Sequence, residues 1–597
     1  MEEISSPDPL PPLPPSSGGI DVNHCKNPRC ANFGVPADIV RWRRKAGTVL
    51  ALTPGKAYGL TSAKKNPALR CLLCGEFFSI KSNLAVAEER DRLVAYLEPR
   101  ASSCCKTAGC ANSSVPIGTE GAYYRHGTTA GKTPRWRCRA CGKVMAVGGR
   151  AIKRQRLSHL NKTILLELTN KMAIRRICKV NDISPSTLYG KIAFFERQCL
   201  AFAGPRERAL REIPIRRLYL SVDRADYMVN WAHARDARNI FIRAMASADN
   251  ATGYVFGMHL AFDSRLDRTE VEADAKKLLD SGRPAPFRRY ARLWLAADLA
   301  ESRAASAAEA KRKAALKPRE NLGDDIEADY KLASARDDSE VTDQKTRFER
   351  LPENNGLAVH DEYTLYGHFL YLRHLLGNVG KFRFYLDRDS GMRAGFMAAF
   401  HDLVRERRAD AFFVKTDKEM TVKEKRKRVQ LAEKAFQSFA REHPGLGAAE
   451  LQLMMMKVSI DRAVPIGDWA DRWCAHPRPT MQEPSKAACW LTDLGDYDID
   501  HQARLFLKAS LNGVDNFFQR VRRSLQPLER PISTSSKNYR VWHGYSPYNP
   551  KMVESLLVIY RVIHNFVEVG KDKKTPAMRL GLTSAPIKVE DILYFTD

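Results

Sequence analysis

From residue 215 onward, apolar and polar residues alternate over short runs, the period of half-buried strands. Arg217-Leu218-Tyr219-Leu220-Ser221-Val222-Asp223 predicts a strand that ends in an acid. Asn239–Ala246 predicts a second, before an Asp249-Asn250 turn, and Thr252–Leu260 a third, giving a three-strand meander. Glu362–Leu376 sets aromatic and leucine positions on one helical face. Phe382–Asp387 then predicts a fourth strand, again ending in an acid, Gly391–Arg407 a helix, and Ala411–Lys415 a fifth strand. The predicted order is three strands, helix, strand, helix, strand. Two stretches interrupt it. Residues 264–355, rich in Ala, Lys, Glu, Asp and Ser in their second half, predict an insertion, part helical and part disordered. Residues 421–442 predict a highly charged helix and 443–500 a mostly helical segment, so a second insertion spans about 420–500.

Upstream the period is helical. In residues 155–200, Ala173–Phe195 reads as a helix-turn-helix: a short amphipathic helix through Val180, a turn at Asn181-Asp182-Ile183, and a second helix capped by Ser184 with Pro185 at its first position. Ile183, Leu188 and Ile192 are expected to face the core of this motif, and Ser186, Thr187, Tyr189 and Lys191 to face a DNA groove.

The first 150 residues carry a duplicated cysteine pattern. Cys25-x4-Cys30-Ala31-Asn32 is followed by Arg70-Cys71-x2-Cys74-Gly75. Cys105-x4-Cys110-Ala111-Asn112 is followed by Arg137-Cys138-x2-Cys141-Gly142. Gly34-Val35-Pro36 follows the first pair in one copy, and Ser114-Val115-Pro116 in the other. Tetrahedral Zn²⁺ takes four thiolates from two short-spaced pairs, so each copy predicts a structural zinc ribbon, over 21–80 and 101–150. Cys104, beside Cys105, is an alternative ligand. Residues 1–20, polar and Pro-rich, predict a disordered arm.

Charge narrows the partners. Lys and Arg outnumber Asp and Glu by 97 to 69, a net +28 that favours a polyanion such as DNA or RNA. No secretory signal is legible at the N-terminus, and no run of about 18 apolar residues predicts a membrane span. The remaining cysteines are scattered, without a disulfide framework. Together these lead us to expect a cytoplasmic, reducing location.

Two acids at strand ends, Asp223 and Asp387, are available to a shared metal; nucleic-acid phosphoryl transfer commonly uses two Mg²⁺ bridged by carboxylates. Asp389 rivals Asp387. A third acid is expected from a helix, and Asp515 in Asn512-Gly513-Val514-Asp515 is the first choice, sharing a helical face with Asn512, Gln519 and Arg522. Glu419, Glu424 and Glu529 are the other positions for it.

These residues resemble those of bacterial insertion-sequence transposases with a ribonuclease-H-like catalytic domain of the DDE type, here DDD. The resemblance is carried by Leu220–Trp231, by Phe384–Gly391, and by Asn512-x-Val514-Asp515 with Arg522 seven residues on. Trp542–Pro550, Tyr560–Phe566 and Lys574–Gly581 add to it further on. It covers about 200–597; the family's third acid is usually Glu. It implies a multidomain chain mixing α+β and α/β parts. Two zinc ribbons and a helix-turn-helix would precede a ribonuclease-H-like mixed sheet with helical insertions, over 213–597. It also implies a Mg²⁺-dependent enzyme, with Mn²⁺ as substitute. That enzyme would bind double-stranded DNA at the element's terminal inverted repeats, free a 3′-OH and join it to target DNA, acting as a homodimer or larger. Arg522 and Arg523 would steady phosphates, and Trp231 or Trp542 could stack on an unpaired base. Rival expectations are another ribonuclease-H-like nuclease and an inactive, transposase-derived DNA-binding regulator.

Overall fold

A computed structural model describes residues 12–39, 52–60, 66–98, 103–130, 133–146, 151–152, 155–230, 240–299, 302, 322–334, 356–417, 420–467, 469–530 and 545–596. Glu419, Trp231, Trp542 and much of the second half of the expected 264–355 insertion lie outside these residues. The chain forms two compact units. One comprises Met1–Leu93, Pro214–Gln519 and Pro531–Lys551; the other comprises Val94–Ile213, Arg520–Arg530 and Met552–Asp597.

In chain order, strands β1 (Tyr58–Leu60), β2 (Ala68–Cys71) and β3 (Phe77–Ser79) form a small antiparallel sheet, followed by helix α1 (Asn83–Val94). A matching sheet, β4 (Tyr123–Thr128), β5 (Pro134–Cys138) and β6 (Val144–Ala146), precedes α2 (Asn161–Thr169), α3 (Ile174–Val180) and α4 (Pro185–Arg208). The main sheet begins with β7 (Ile215–Val229), β8 (Ile240–Asp249) and β9 (Val255–Leu260). The short pair β10 (Phe262–Asp263) and β11 (Leu357–Ala358) brackets α5 (Arg268–Lys277) and α6 (Leu322–Ser334). Then come α7 (Asp361–Leu375), β12 (Val379–Asp387), α8 (Ser390–Arg405), β13 (Ala409–Thr416), α9 (Val422–Glu442) and α10 (Ala448–Asp461). The chain continues through β14 (Pro465–Ile466), β15 (Asp471–Ala475), β16 (Lys486–Trp490), α11 (Ile499–Lys508) and α12 (Asn512–Ser524). It ends in α13 (Pro550–Phe566), α14 (Pro576–Leu580) and α15 (Val589–Leu593).

The eight-stranded mixed sheet runs β14-β15-β16-β13-β12-β7-β8-β9. β12 is parallel to both β7 and β13; the other neighbours are antiparallel. Alternation along β12 sorts its two faces. Phe382 and Phe384 pack on Phe396 and Phe400 of α8, and Phe384 also on Phe369 of α7. Tyr385, in register with Phe412, lies on the other face, where Phe412 meets Trp490 and Phe506 of α11. The fourth and fifth predicted strands and their helices lie within two residues of expectation at most ends.

Three expectations are corrected. β7 does not end at Asp223; it stays paired with β8 as far as Val229, because Arg224 and Asp226 continue the alternation while Ala225 and Tyr227 are buried. The 443–500 segment has one full helix, Ala448–Asp461, and only the start of a second at Ile499, and β14 to β16 extend the sheet beyond β13. Residues 12–20 of the expected arm are fixed: the Asn83 side chain donates to the carbonyls of Pro14 and Pro15, and Ile20 is buried.

Within the second unit, the α3–α4 connection forms as expected. Ser184 accepts from the Thr187 N–H at 3.2 Å, Pro185 opens the helix, and Ile183, Leu188 and Ile192 are buried. α4 is longer than expected, running 24 residues through Pro205.

Candidate functional site

Both four-cysteine groups, Cys25/Cys30/Cys71/Cys74 and Cys105/Cys110/Cys138/Cys141, bring their sulfurs within 4.8 Å of one another. Cross pairs lie at 3.6 Å (Cys25–Cys74), 3.7 Å (Cys30–Cys71), 3.3 Å (Cys105–Cys141) and 3.7 Å (Cys110–Cys138). Zn–S bonds of about 2.3 Å in a tetrahedron put sulfurs roughly 3.8 Å apart, so both groups could hold a structural zinc. Cys104 is not part of the group; Cys105 is. Cys71 and Cys141 are held below the ordinary thiol range. Hydrogen bonding with Cys25 does this first for Cys71, and the Thr107 hydroxyl does it first for Cys141.

The duplication extends to the residues around the sulfurs. Asn32 Nδ2 donates to Cys71 Sγ at 3.2 Å and to the Ala57 carbonyl; Asn112 Nδ2 donates to Cys138 Sγ at 3.3 Å and to the Ala122 carbonyl. The Tyr58 hydroxyl accepts from the Cys25 N–H and contacts the Asn32 and Val35 carbonyls. Tyr123 does the same with Cys105, Asn112 and Val115. Such outer partners orient ligands and tune the metal. The two tyrosines escaped the sequence reading, although each sits opposite a ligand, Tyr58 beside Cys71 and Tyr123 beside Cys138.

In the main sheet, Tyr385 pairs with Ser221 and Leu386 with Val222 in parallel register. One step further puts Asp387 beside Asp223 on the same face, on strands about 4.8 Å apart. Asp223 is buried and Asp387 half-buried. Helix α12 docks on this face: the Val514 N–H donates to Ser221 Oγ at 2.9 Å, and the Gly513 N–H to Asn250 Oδ1 at 2.9 Å. The residues before α12 are pinned as well. Lys486 donates to the Ala509 carbonyl, Ser510 Oγ to Glu483, and Asn250 Nδ2 to the Ser510 carbonyl. Asp515 therefore stands, half-buried, in the first turn of a helix fixed to β7 two residues before Asp223. The sequence reading missed Ser221, Asn250, Glu483 and Lys486; their signal was polarity at otherwise apolar or turn positions.

Among the described residues, only the cysteine groups gather three or more potential ligands within 4.8 Å. Asp223 and Asp387 lie on one face of the sheet and the first turn of α12 is anchored to that face, but the three carboxylates form no such group. Two ions about 3.5–4 Å apart would draw ligands from a wider span than one ion does.

The alternatives have other partners. Asp389 caps α8, accepting from Gly391 and Met392 N–H groups, and pairs with Arg224 at 2.7 Å. Burial raises its carboxyl, but Arg224 and the two N–H groups outweigh that and hold it below its ordinary value. Burial likewise depresses Arg224, while Asp389, Asp361 and Asp387 more than restore it. Glu424 is exposed and closes a capping box with Thr421, whose hydroxyl holds its carboxyl below its ordinary value. Glu529 pairs with Lys171 in the second unit.

Of the expected DNA contacts, Ser186 and Tyr189 are exposed and Thr187 half-buried. Lys191 is a correction. It is 2% exposed and turns inward, donating to the Leu157 carbonyl at 2.8 Å and Asn161 Oδ1 at 2.7 Å. Arg522 is half-buried and Arg523 exposed at the end of α12. Among the described residues, no helix is long and apolar enough to cross a membrane. No family model matches the chain, and no curated protein matches it significantly.

Proposed function

We propose that this chain is a DNA transposase: a ribonuclease-H-like enzyme that cuts the ends of a mobile element and joins them to target DNA. The observation that carries the reading is the parallel β7–β12 register, Tyr385 beside Ser221 and Leu386 beside Val222, which one step on sets Asp223 next to Asp387, together with the anchoring of α12, which carries Asp515, to Ser221. The chain also follows the element order that its alternation predicts, a meander, then helix, strand, helix, strand. The net charge of +28 suits a polyanionic substrate, and the α3–α4 pair suits a helix-turn-helix.

An all-carboxylate set suits hard cations with oxygen ligands, Mg²⁺ or Mn²⁺. Such a pair, when bound, supplies charge neutralisation at the attacking and leaving oxygens of an in-line displacement. The protein's part is placement. The parallel register of β7 and β12 would set two carboxylates side by side, and the backbone anchors at Ser221 and Asn250 would hold the turn that carries the third. Holding reacting groups this way supplies much of the rate in phosphoryl transfer.

The test is a strand-transfer reaction with purified full-length protein, Mg²⁺, and labelled duplexes taken from the sequence flanking the gene. Joining of the labelled 3′ end to plasmid DNA supports the reading. Duplex binding without cleavage in Mg²⁺ or Mn²⁺ refutes it in favour of a regulator, and cleavage without joining refutes it in favour of a nuclease.

A further inference from the structure

The two ribbons share a metal site but not a surface. Strand register aligns them position by position. Tyr58 opposite Cys71 corresponds to Tyr123 opposite Cys138, and Gly59 opposite Arg70 to Tyr124 opposite Arg137. Carried along the strands, Ala68 corresponds to Arg135, Leu72 to Arg139, and Glu76 to Lys143. The tyrosine at 58 and 123, the cysteine at 71 and 138 and the arginine at 70 and 137 are shared. Everywhere else on this list the first ribbon carries a neutral or acidic residue, and the second an aromatic or a cation.

The side chains follow the same division. In the second ribbon, Tyr123, Trp136, Cys138 and Met145 face the sulfur core. Alternation sends Tyr124, His126, Arg135 and Arg137 to the opposite face, and the Arg139 guanidinium lies 5.2 Å from the centre of the Tyr124 ring. His126, Arg137 and Arg139 are exposed. Residues 101–150 hold eight Lys and Arg against a single acid, Glu120.

The first ribbon is occupied by its own unit. The His401 ring of α8 packs edge-on against His24 (5.0 Å) and Phe33 (6.4 Å), and Arg405 donates to the Ala31 carbonyl. Arg29 donates to the Asp493 carbonyl at 2.7 Å. Gly34 has no room for a side chain, since a Cβ there would stand 2.2 Å from His401. Glu76 is buried and accepts from the Lys26 and Asn27 N–H groups.

We propose that the duplicated ribbons have divided their roles. The first is a brace packed onto the sheet unit. The second binds duplex DNA through the outer face of β4 and β5, with Arg135, Arg137 and Arg139 on phosphates beside the Tyr124 ring. Cations spaced along a strand pair and interleaved with an aromatic ring match a phosphate backbone. The duplex as partner rests on the transposase reading; the separation of roles does not.

The experiment uses the zinc-loaded full chain and a mixed-sequence 30-base-pair duplex, followed by fluorescence anisotropy across a salt series. Single-stranded poly(U) serves as a second probe. Arg135→Ala/Arg137→Ala/Arg139→Ala is compared with Arg70→Ala in the first ribbon, and released zinc is measured to verify that every variant keeps both sites. We expect the triple variant to bind the duplex at least about tenfold more weakly. Its salt slope should fall by about 2.7, at roughly 0.9 per lost phosphate contact. Arg70→Ala should bind as wild type. Unchanged duplex binding by the triple variant, an equal loss in Arg70→Ala, or a loss confined to poly(U) would overturn the proposal. If the triple variant loses binding while wild type never cuts, the transposase reading fails and this one stands. If wild type cuts and the triple variant binds normally, the reverse holds.

Discussion

Gly513→Ala probes the anchoring of the third carboxylate. A Cβ at this position would stand 2.5 Å from Asn250 Oδ1 and 2.8 Å from Ser221 Oγ. Those oxygens accept the Gly513 and Val514 N–H groups, so they cannot withdraw without releasing α12. Each buried donor left unpaired costs about 1–3 kcal/mol, roughly 2–6 kcal/mol for both. Alanine's helix propensity offsets at most about 1 kcal/mol of that. The substitution should therefore destabilise by roughly 1–5 kcal/mol, although glycine-to-alanine in a helix ordinarily stabilises. Shifting Asp515 by about 1 Å should slow DNA cleavage about a hundredfold. Single-turnover cleavage and thermal melting check this, with Asn516→Ala, exposed on the same helix, as the control that keeps the wild-type rate. If Gly513→Ala cleaves at the wild-type rate and melts no lower than wild type, α12 does not position the third acid.

Other consequences concern the zinc sites and buried charges. Cys105→Ser should lower bound zinc from two per chain to one, and Cys104→Ser should leave it at two, by metal analysis of purified protein. Cys71→Ser should lower the melting temperature of the sheet unit, because the first ribbon packs onto α8, whereas Cys138→Ser should leave that transition unchanged; calorimetry separates the two. Lys191→Ala removes the donor to Leu157 and Asn161. It should cost about 1–3 kcal/mol in urea unfolding and leave the salt slope of DNA binding unchanged. Asp263 is buried; burial raises its carboxyl, but Arg265, Arg292 and Arg92 outweigh that and hold it well below the usual carboxylate range. Its contribution is thus complete above about pH 4 and fades as pH falls through its depressed value. Asp263→Asn leaves Arg292 short of a partner and should cost about 3–5 kcal/mol at pH 7, a gap that narrows on acidification.

Local chemistry was legible in the sequence; long-range chemistry was not. The cysteine spacing sufficed because all four ligands lie on two short knuckles and the strands between them. That the first ribbon packs on the sheet unit was hidden, because Gly34 and His401 are far apart in the chain. The meander and the β12–α8–β13 run were legible from alternation and helical period. β15 and β16 were not. Each is five residues long, and every position of Lys486–Trp490 is buried, so neither period appears. Lys191 was read as a groove contact because a lysine on a helix is normally solvated; carbonyl and amide acceptors inside the fold reverse that. Asp223 and Asp387 were legible as acids in apolar strands, whereas their adjacency required the register of β7 and β12.

The central claim is that Asp223, Asp387 and Asp515 act as one cation-dependent set. Its most direct measurement is single-turnover cleavage of the flanking-sequence duplex in Mg²⁺ by wild type and by Asp223→Asn, Asp387→Asn and Asp515→Asn, with duplex affinity measured alongside. Each substitution is predicted to slow cleavage by at least about a thousandfold while duplex affinity stays within about threefold of wild type. Wild-type cleavage by any of the three, or no cleavage by the wild type in either Mg²⁺ or Mn²⁺, would contradict the claim.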